Sequence, residues 1–206
     1  MRRDPQETAQ TLYQIAAAQG GYFTAAQARQ VGYAYSQQHF HLVRGNWLRI
    51  GRGLFRLRDY PPSEREDLIW WSLWSLNRRG DPQAVVSHQT ALTVHDLSDV
   101  MPDKVHLTVP KTLRKKVLPG CVLHRATLVP NEIESRVGYL VTTPVRTLLD
   151  VANSPLSQEH LSRAVRQALE RGLVRRRLLE TARCPLSARS RLDRALTTAQ
   201  GGTLAK

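Results

Sequence analysis

The chain has little cysteine. Its two, Cys121 and Cys184, stand alone in their neighbourhoods. A disulfide framework or a zinc cluster needs paired spacing, so both read as free thiols in a reducing compartment. No apolar run approaches the ~20 residues of a membrane span. No apolar segment follows Arg2-Arg3, so no signal peptide is expected and the protein is expected in the cytoplasm. Catalytic fingerprints are lacking as well. There is no G-x-x-x-x-G-K-[ST] loop and no G-x-S-x-G elbow. His88 and His95 share a helix face but lie about 10 Å apart, too far for two ligands of one metal. Asp96, Asp99 and Asp103 cluster beside Lys104, but nothing around them suggests a two-metal site. The chain is therefore read as a non-enzyme, with no metal and no cofactor.

What the sequence does have is positive charge. Formal net charge is +13 over 206 residues, with 41% hydrophobic residues, enough for a folded core. Residues 1–60 carry 8 Lys/Arg against 3 Asp/Glu, residues 61–150 carry 11 against 10, and residues 151–206 carry 11 against 4. Both ends are basic and the middle is nearly balanced. A polyanion, most often nucleic acid, is the partner such a chain attracts.

The first sixty residues read as three short helices and a hairpin. "PQETAQTLYQIAAAQG" (5–20) has proline in its first turn and ends at Gly20-Gly21. "YF" at 22–23 fits a very short strand. "TAAQARQVG" (24–32) has capping-box spacing between Thr24 and Gln27. "YSQQHFHLVRG" (35–45) is expected to be capped by Ser36 and stopped by Gly45. "GNWLRIGRGLFRL" (45–57) then gives two β runs around Gly51-Arg52-Gly53. Alternation puts Leu48, Ile50, Phe55 and Leu57 on core-facing sides. It puts Trp47, Arg49, Leu54 and Arg56 on the opposite sides, with Arg52 at the tip. This element order is that of a winged helix-turn-helix, whose third helix enters the major groove. Two core stripes fit that helix: one through Tyr35, His39, Leu42 and Val43 leaves Phe40 outside, and one using Phe40 and Val43 instead exposes His39. Gln37, His41 and Arg44 face outward in both, with Gln38 beside them. Gln can pair with adenine and Arg with guanine, while Arg49, Arg52 and Arg56 suit phosphates.

"DYPPSERED" marks a boundary, since Pro61-Pro62 break the strand and Ser63 with Glu66 has capping spacing. A helix over 64–80 carries Trp70, Trp71 and Trp74, read as core rather than as a base-stacking platform. Further on, 85–97 reads as a strand and a Ser87-capped helix, and 104–110 and 120–126 as paired strands joined by "KTLRKK". Residues 137–153 read as a strand followed by a helix from Thr143-Pro144. His106 and His124 could fall on neighbouring strands and are read as packed or surface residues. From 157 the chain is helical, with Leu161, Val165, Ala168 and Leu169 as one stripe. Its many arginines leave open nucleic-acid contact, an acidic partner or a solvated basic surface. The expected fold class is α+β: a winged helix-turn-helix over 1–60, then a mixed α/β domain over 61–206 with a helical C-terminal tail.

Three segments taken in order carry a family resemblance: "GYFTAAQARQVGY…HLVRGNWLRIGRGLFRL", "AVVSHQTALTVHDL…DKVHLTVP" and "GYLVTTPVRTLLDVA". The chain resembles the AbiEi-family antitoxins of bacterial type IV toxin–antitoxin systems. The resemblance implies a DNA-binding repressor that acts on inverted repeats at its own promoter. It also implies a nucleotidyltransferase-like toxin as functional partner, counteracted without a stable complex being required. It extends the DNA role to Thr24, Ser36 through Arg44, Arg49, Arg52 and Arg56. Two other readings remain: a nuclease targeted by the first domain, and an adaptor whose basic tail docks an acidic partner.

Overall fold

The computed structural model describes residues 4–201 of an α+β protein. The chain divides into two compact units. One holds the residues up to Gln83 together with Ser135–Tyr139, and the other holds Ala84–Glu134 and Leu140 onward. Pro61-Pro62 therefore lie within the first unit.

The first unit opens with α1 (Pro5–Ala18), where the Asp4 side chain caps by accepting from the Gln6 N–H at 3.0 Å. The chain turns at Gly21, whose φ of +90° only glycine adopts cheaply. A Cβ there would lie 2.5 Å from the Tyr60 ring. Strand β1 (Tyr22–Thr24) leads into α2 (Ala25–Val31). The expected capping box is present: Gln27 N–H donates to Thr24 Oγ1 at 3.1 Å, and Thr24 N–H donates to Gln27 Oε1 at 2.8 Å. Helix α3 (Tyr35–Val43) begins after Ala34 rather than after Ser36. Ala34 has no side-chain acceptor, so only the return half of a box exists, with Gln37 Oε1 accepting from Ala34 N–H at 2.9 Å.

Strands β2 (Trp47–Gly51) and β3 (Leu54–Leu57) form the expected hairpin, but β1 pairs with it too, giving the antiparallel order β1-β3-β2. Strand β3 is therefore central. Its Phe55 lies opposite Phe23 and Arg49, and its Leu57 opposite Trp47. This face packs on Leu12, Ala16, Ala28, Val31 and Tyr33 from the helical layer. On the other face Leu54 and Tyr22 pack on Ile69 and Leu73 of α4 (Glu66–Trp74), with Trp70, Leu76 and Tyr139 at the edge. The expected hairpin faces are thus corrected at two points. Trp47 and Leu54 are buried, because both sheet faces are covered. Ile50 is exposed, because the register shifts between Arg49 and Gly51 and the bulge turns it outward. Helix α4 stops at Trp74, short of Gly80. Asn77 Oδ1 accepts from the backbone of Arg79 and Asp81, a local turn that competes with the helix.

A five-stranded sheet of order β6-β5-β4-β8-β7 belongs to the second unit apart from the facing ends of β7 and β8, which fall in Ser135–Tyr139. Its strands are β4 (Val85–Val86), β5 (Val105–Val109), β6 (Cys121–Arg125), β7 (Ile133–Arg136) and β8 (Tyr139–Thr142). Strand β4 runs antiparallel to β5 and parallel to β8, and β5 and β6 are parallel. Five helices belong to this unit: α5 (His88–Val94), α6 (Pro144–Ala152), α7 (Gln158–Glu170), α8 (Arg176–Thr181) and α9 (Leu186–Gly201). Their core interleaves small and large residues, including Leu161, Ala164, Val165 and Ala168 of α7 with Ala188, Leu192 and Ala195 of α9. No helix among the described residues is long and apolar enough to cross a membrane.

The arginine-rich tail has a structural job in part. Helix ends leave carbonyls without partners, and a guanidinium supplies several donors at once. Arg191 donates to the carbonyls of Ala152 (3.0 Å), Ser154 and Leu156 between α6 and α7. Arg171 donates to His95 O at 2.8 Å and Asp96 O at 2.7 Å, past the end of α5. Arg189 donates to Leu179 O at 2.8 Å and to Ala182 O, around the end of α8. Replacing Arg191 by alanine is expected to lower stability by about 2 kcal/mol, since charge-assisted bonds to buried carbonyls are lost. Arg194, exposed on the same helix, is expected to tolerate alanine within about 0.5 kcal/mol. Equilibrium urea unfolding of both variants measures the difference.

Candidate functional site

Helix α3 is amphipathic in an unusual sense. Taking Tyr35 as zero and about 100° per residue, Val43, Ser36 and Phe40 fall at about 80°, 100° and 140°. Gln38, His41 and Leu42 fall at about 300°, 240° and 340° on the same wheel and face the unit's interior. Phe40 is 52% exposed, Val43 71% and Tyr35 66%. His39 and Arg44, also exposed, flank the apolar centre. The Arg44 guanidinium lies 5.4 Å from the Phe40 ring centroid. Arg29 of α2 sits 5.6 Å from the Tyr35 ring centroid and 3.2 Å from its hydroxyl.

The residues expected at an interface divide into two groups. Ser36, Gln37, Arg44, Arg49 and Arg52 are exposed, with Arg52 on the two-residue tip of the hairpin beside Gly53. Gln38 is not among them. It is 3% exposed, and its amide donates to Tyr33 O at 2.9 Å and Ala25 O at 3.2 Å, joining α3 to the start of α2. Arg56 is 9% exposed because β3 is central. It donates to Tyr60 O at 2.7 Å and lies 3.6 Å from the Glu66 carboxylate. His41 stacks on Trp47 with ring centroids 4.7 Å apart, and Asn46 donates to its Nδ1 at 3.1 Å. Burial lowers its pKa, which disfavours the charged ring at this core edge. Thr24 is engaged in its capping box.

Of the exposed residues here, Tyr35 and Arg29 are not among those expected at an interface. His39, Phe40 and Val43 lie within the 36–44 stretch that the resemblance implies, although both core stripes place Val43 inward. The partners of Gln38 and His41, which lie outside α3, fix which face of the helix is inward. The charge around this face is one-sided. No Asp or Glu occurs between Glu7 and Asp59, a stretch with six arginines. Five of those, Arg29, Arg44, Arg49, Arg52 and Arg58, are exposed.

A second polar cluster lies in the other unit. His88 and His124 stack with centroids 3.5 Å apart and planes 12° from parallel. His106 Nδ1 is 3.0 Å from His124 Nε2. Parallel stacked rings do not point their nitrogens at one atom, and among the described residues no group of three or more His, Cys, Asp or Glu could hold a metal ion. His95 is apart from them, its Nε2 bonded to Thr142 O at 2.7 Å. Arg146 bridges Glu132 and Asp150, each at 2.8 Å. Asp99 pairs with Arg163 and lies 3.1 Å from His160, and Asp103 is exposed away from those contacts.

No protein-family model matches the chain, and no curated protein matches it. Among solved structures, the chain is similar to the RV2827C protein from Mycobacterium tuberculosis. The TM-score is 0.57 at 15% sequence identity, over 97% of this chain and 79% of that one. At that identity the likeness concerns the fold alone.

The histidine cluster gives the second unit a pH dependence of definite sign. Burial lowers His88 to about 3 and His124 to about 4, so both are neutral in the folded state. Their contribution is full above the ordinary histidine value of 6.5 and is lost as pH falls through those lower values. Asp150 acts oppositely: burial raises it to about 6 against the pull of Arg146. Its contribution is full below the ordinary carboxylate value and is lost as pH rises through about 6. Urea unfolding of His124→Gln from about pH 7 to about pH 4.5 is expected to show a shallower acid loss than the parent chain. Equal slopes would contradict the buried neutral assignment.

Proposed function

We propose that the first unit is a winged helix-turn-helix that binds double-stranded DNA, with α3 in the major groove and the β2–β3 hairpin on the backbone. The order α1-β1-α2-α3-β2-β3 and the sheet order β1-β3-β2 support this reading. The observation that carries it is the exposed face of α3 set among arginines in a segment without acidic residues. Such a surface attracts phosphates and releases their counterions. Arg44 reads a base edge, guanine being the base whose O6 and N7 suit a guanidinium. Arg49 and the tip Arg52 neutralise phosphates.

On this reading the protein is a transcriptional repressor acting at the nucleoid. The resemblance in the three ordered segments extends the proposal to an antitoxin of a type IV system that binds inverted repeats in its own promoter. A nucleotidyltransferase-like toxin is then its functional partner, without a stable complex being required. The role is non-enzymatic and calls for no cofactor.

Binding to the DNA upstream of its own gene, compared with random duplex over a range of salt, tests the proposal. Tighter binding to the upstream DNA is expected, and equal affinity would contradict sequence-specific regulation. Arg52→Ala is expected to weaken binding on every sequence and to flatten the salt slope by about one. Arg44→Ala is expected to relax specificity by ~1–3 kcal/mol. If the two variants behaved alike, the division between reader and clamp would be wrong.

A further inference from the structure

The proposed DNA role leaves one feature of α3 unexplained. The centre of its outward face is not polar. Phe40 and Val43 are exposed there, with Ser36 between them on the helical wheel, and Gln38 and His41 are turned inward. Apolar side chains exposed together on one helix face, rimmed by polar residues, mark an interaction site. The edges of base pairs in the major groove present one apolar group, the 5-methyl of thymine. Resting on the DNA-binding reading, we propose that Phe40 and Val43 select duplexes carrying thymine methyls at the positions facing α3.

Three observations favour this occupant. The Arg44 guanidinium at 5.4 Å from the Phe40 ring holds a base- or phosphate-seeking cation beside the apolar pair. Arg29, against Tyr35, puts a second cation at the start of the helix. The surrounding segment has no acidic residue from Thr8 to Arg58. Two copies meeting through α3 would bring like charges together, whereas a duplex brings methyls and phosphates at once. The hydrogen-bonding side chains on this face or at its borders include Ser36, Gln37, His39 and Arg44, and only Ser36 lies between Phe40 and Val43 on the wheel. Specificity that rests on methyl contacts is consistent with a face that lacks the inward Gln38.

The test starts from duplexes selected by the full chain out of a random pool. Thymine is expected to be enriched at positions within each bound half-site. Replacing those thymines by deoxyuridine keeps the base pair and its O4 acceptor but removes the methyl. A loss of about fourfold in affinity per methyl is expected, the worth of one buried apolar carbon. Phe40→Ala and Val43→Ala, both at exposed positions, are expected to abolish the thymine-over-deoxyuridine preference with the salt slope unchanged. Selective binding with equal affinity for thymine and deoxyuridine would overturn the methyl proposal and leave the DNA role standing. No binding to any duplex, with a dimer in solution that Phe40→Ser converts to monomer, would overturn both and identify a second copy as the occupant.

Discussion

Strand β3 is bounded on every side. It has β1 and β2 on its edges, the helical layer against Phe55 and α4 against Leu54. A four-residue strand so enclosed cannot present a basic face, whatever its alternation. The enclosure draws Trp47 into the core, buries Arg56 against Glu66 and leaves the hairpin tip and Arg49 as its exposed cations. It also fixes where α3 can lie. His41 must stack on Trp47, and Gln38 must reach the carbonyls of Ala25 and Tyr33. Once those two side chains are inward, Ser36, Phe40 and Val43 are outward by helical geometry alone. The character of the exposed face is thus a consequence of how the sheet is packed.

Arginine has two roles in this chain. In the first unit the exposed Arg29, Arg44 and Arg49 lie beside aromatic rings, in a segment with no Asp or Glu from 8 to 58. In the helical tail they close helix ends, as Arg171, Arg189 and Arg191 do, or pair locally, as Arg163 does with Asp99. The same residue type at similar density therefore produces an electrostatic surface at one end and internal scaffolding at the other. Net charge alone cannot distinguish these uses, because it counts a capped arginine and an exposed one equally.

Much of the first unit was legible from sequence because its signals are local. Pro5, the Thr24/Gln27 box, Gly20-Gly21 and the glycines of the hairpin each act within a few residues. The six strand and helix segments expected between 85 and 153 are also present. What escaped the reading depends on distant partners. A very short strand at 22–23 is expected, but not its pairing with β3, some thirty positions away. Arg56 looks outward by alternation until α4 is known to cover it. Ile50 looks inward until the bulge is seen. Arg191 looks solvated until its carbonyls, more than thirty residues earlier, are found. The polar half of the candidate site was read from residue type. Of its apolar half, Phe40 faces outward in one of the two core stripes, whereas both place Val43 inward because an exposed valine resembles core.

We propose that the outward face of α3 and the hairpin tip meet duplex DNA while the helical tail does not. Backbone amide chemical shifts of the full chain, followed as its upstream duplex is added, test this most directly. The largest changes are expected at Ser36, His39, Phe40, Val43, Arg44 and Arg52, with Arg171, Arg189 and Arg191 unmoved. Changes concentrated on α8 and α9, with α3 silent, would contradict it.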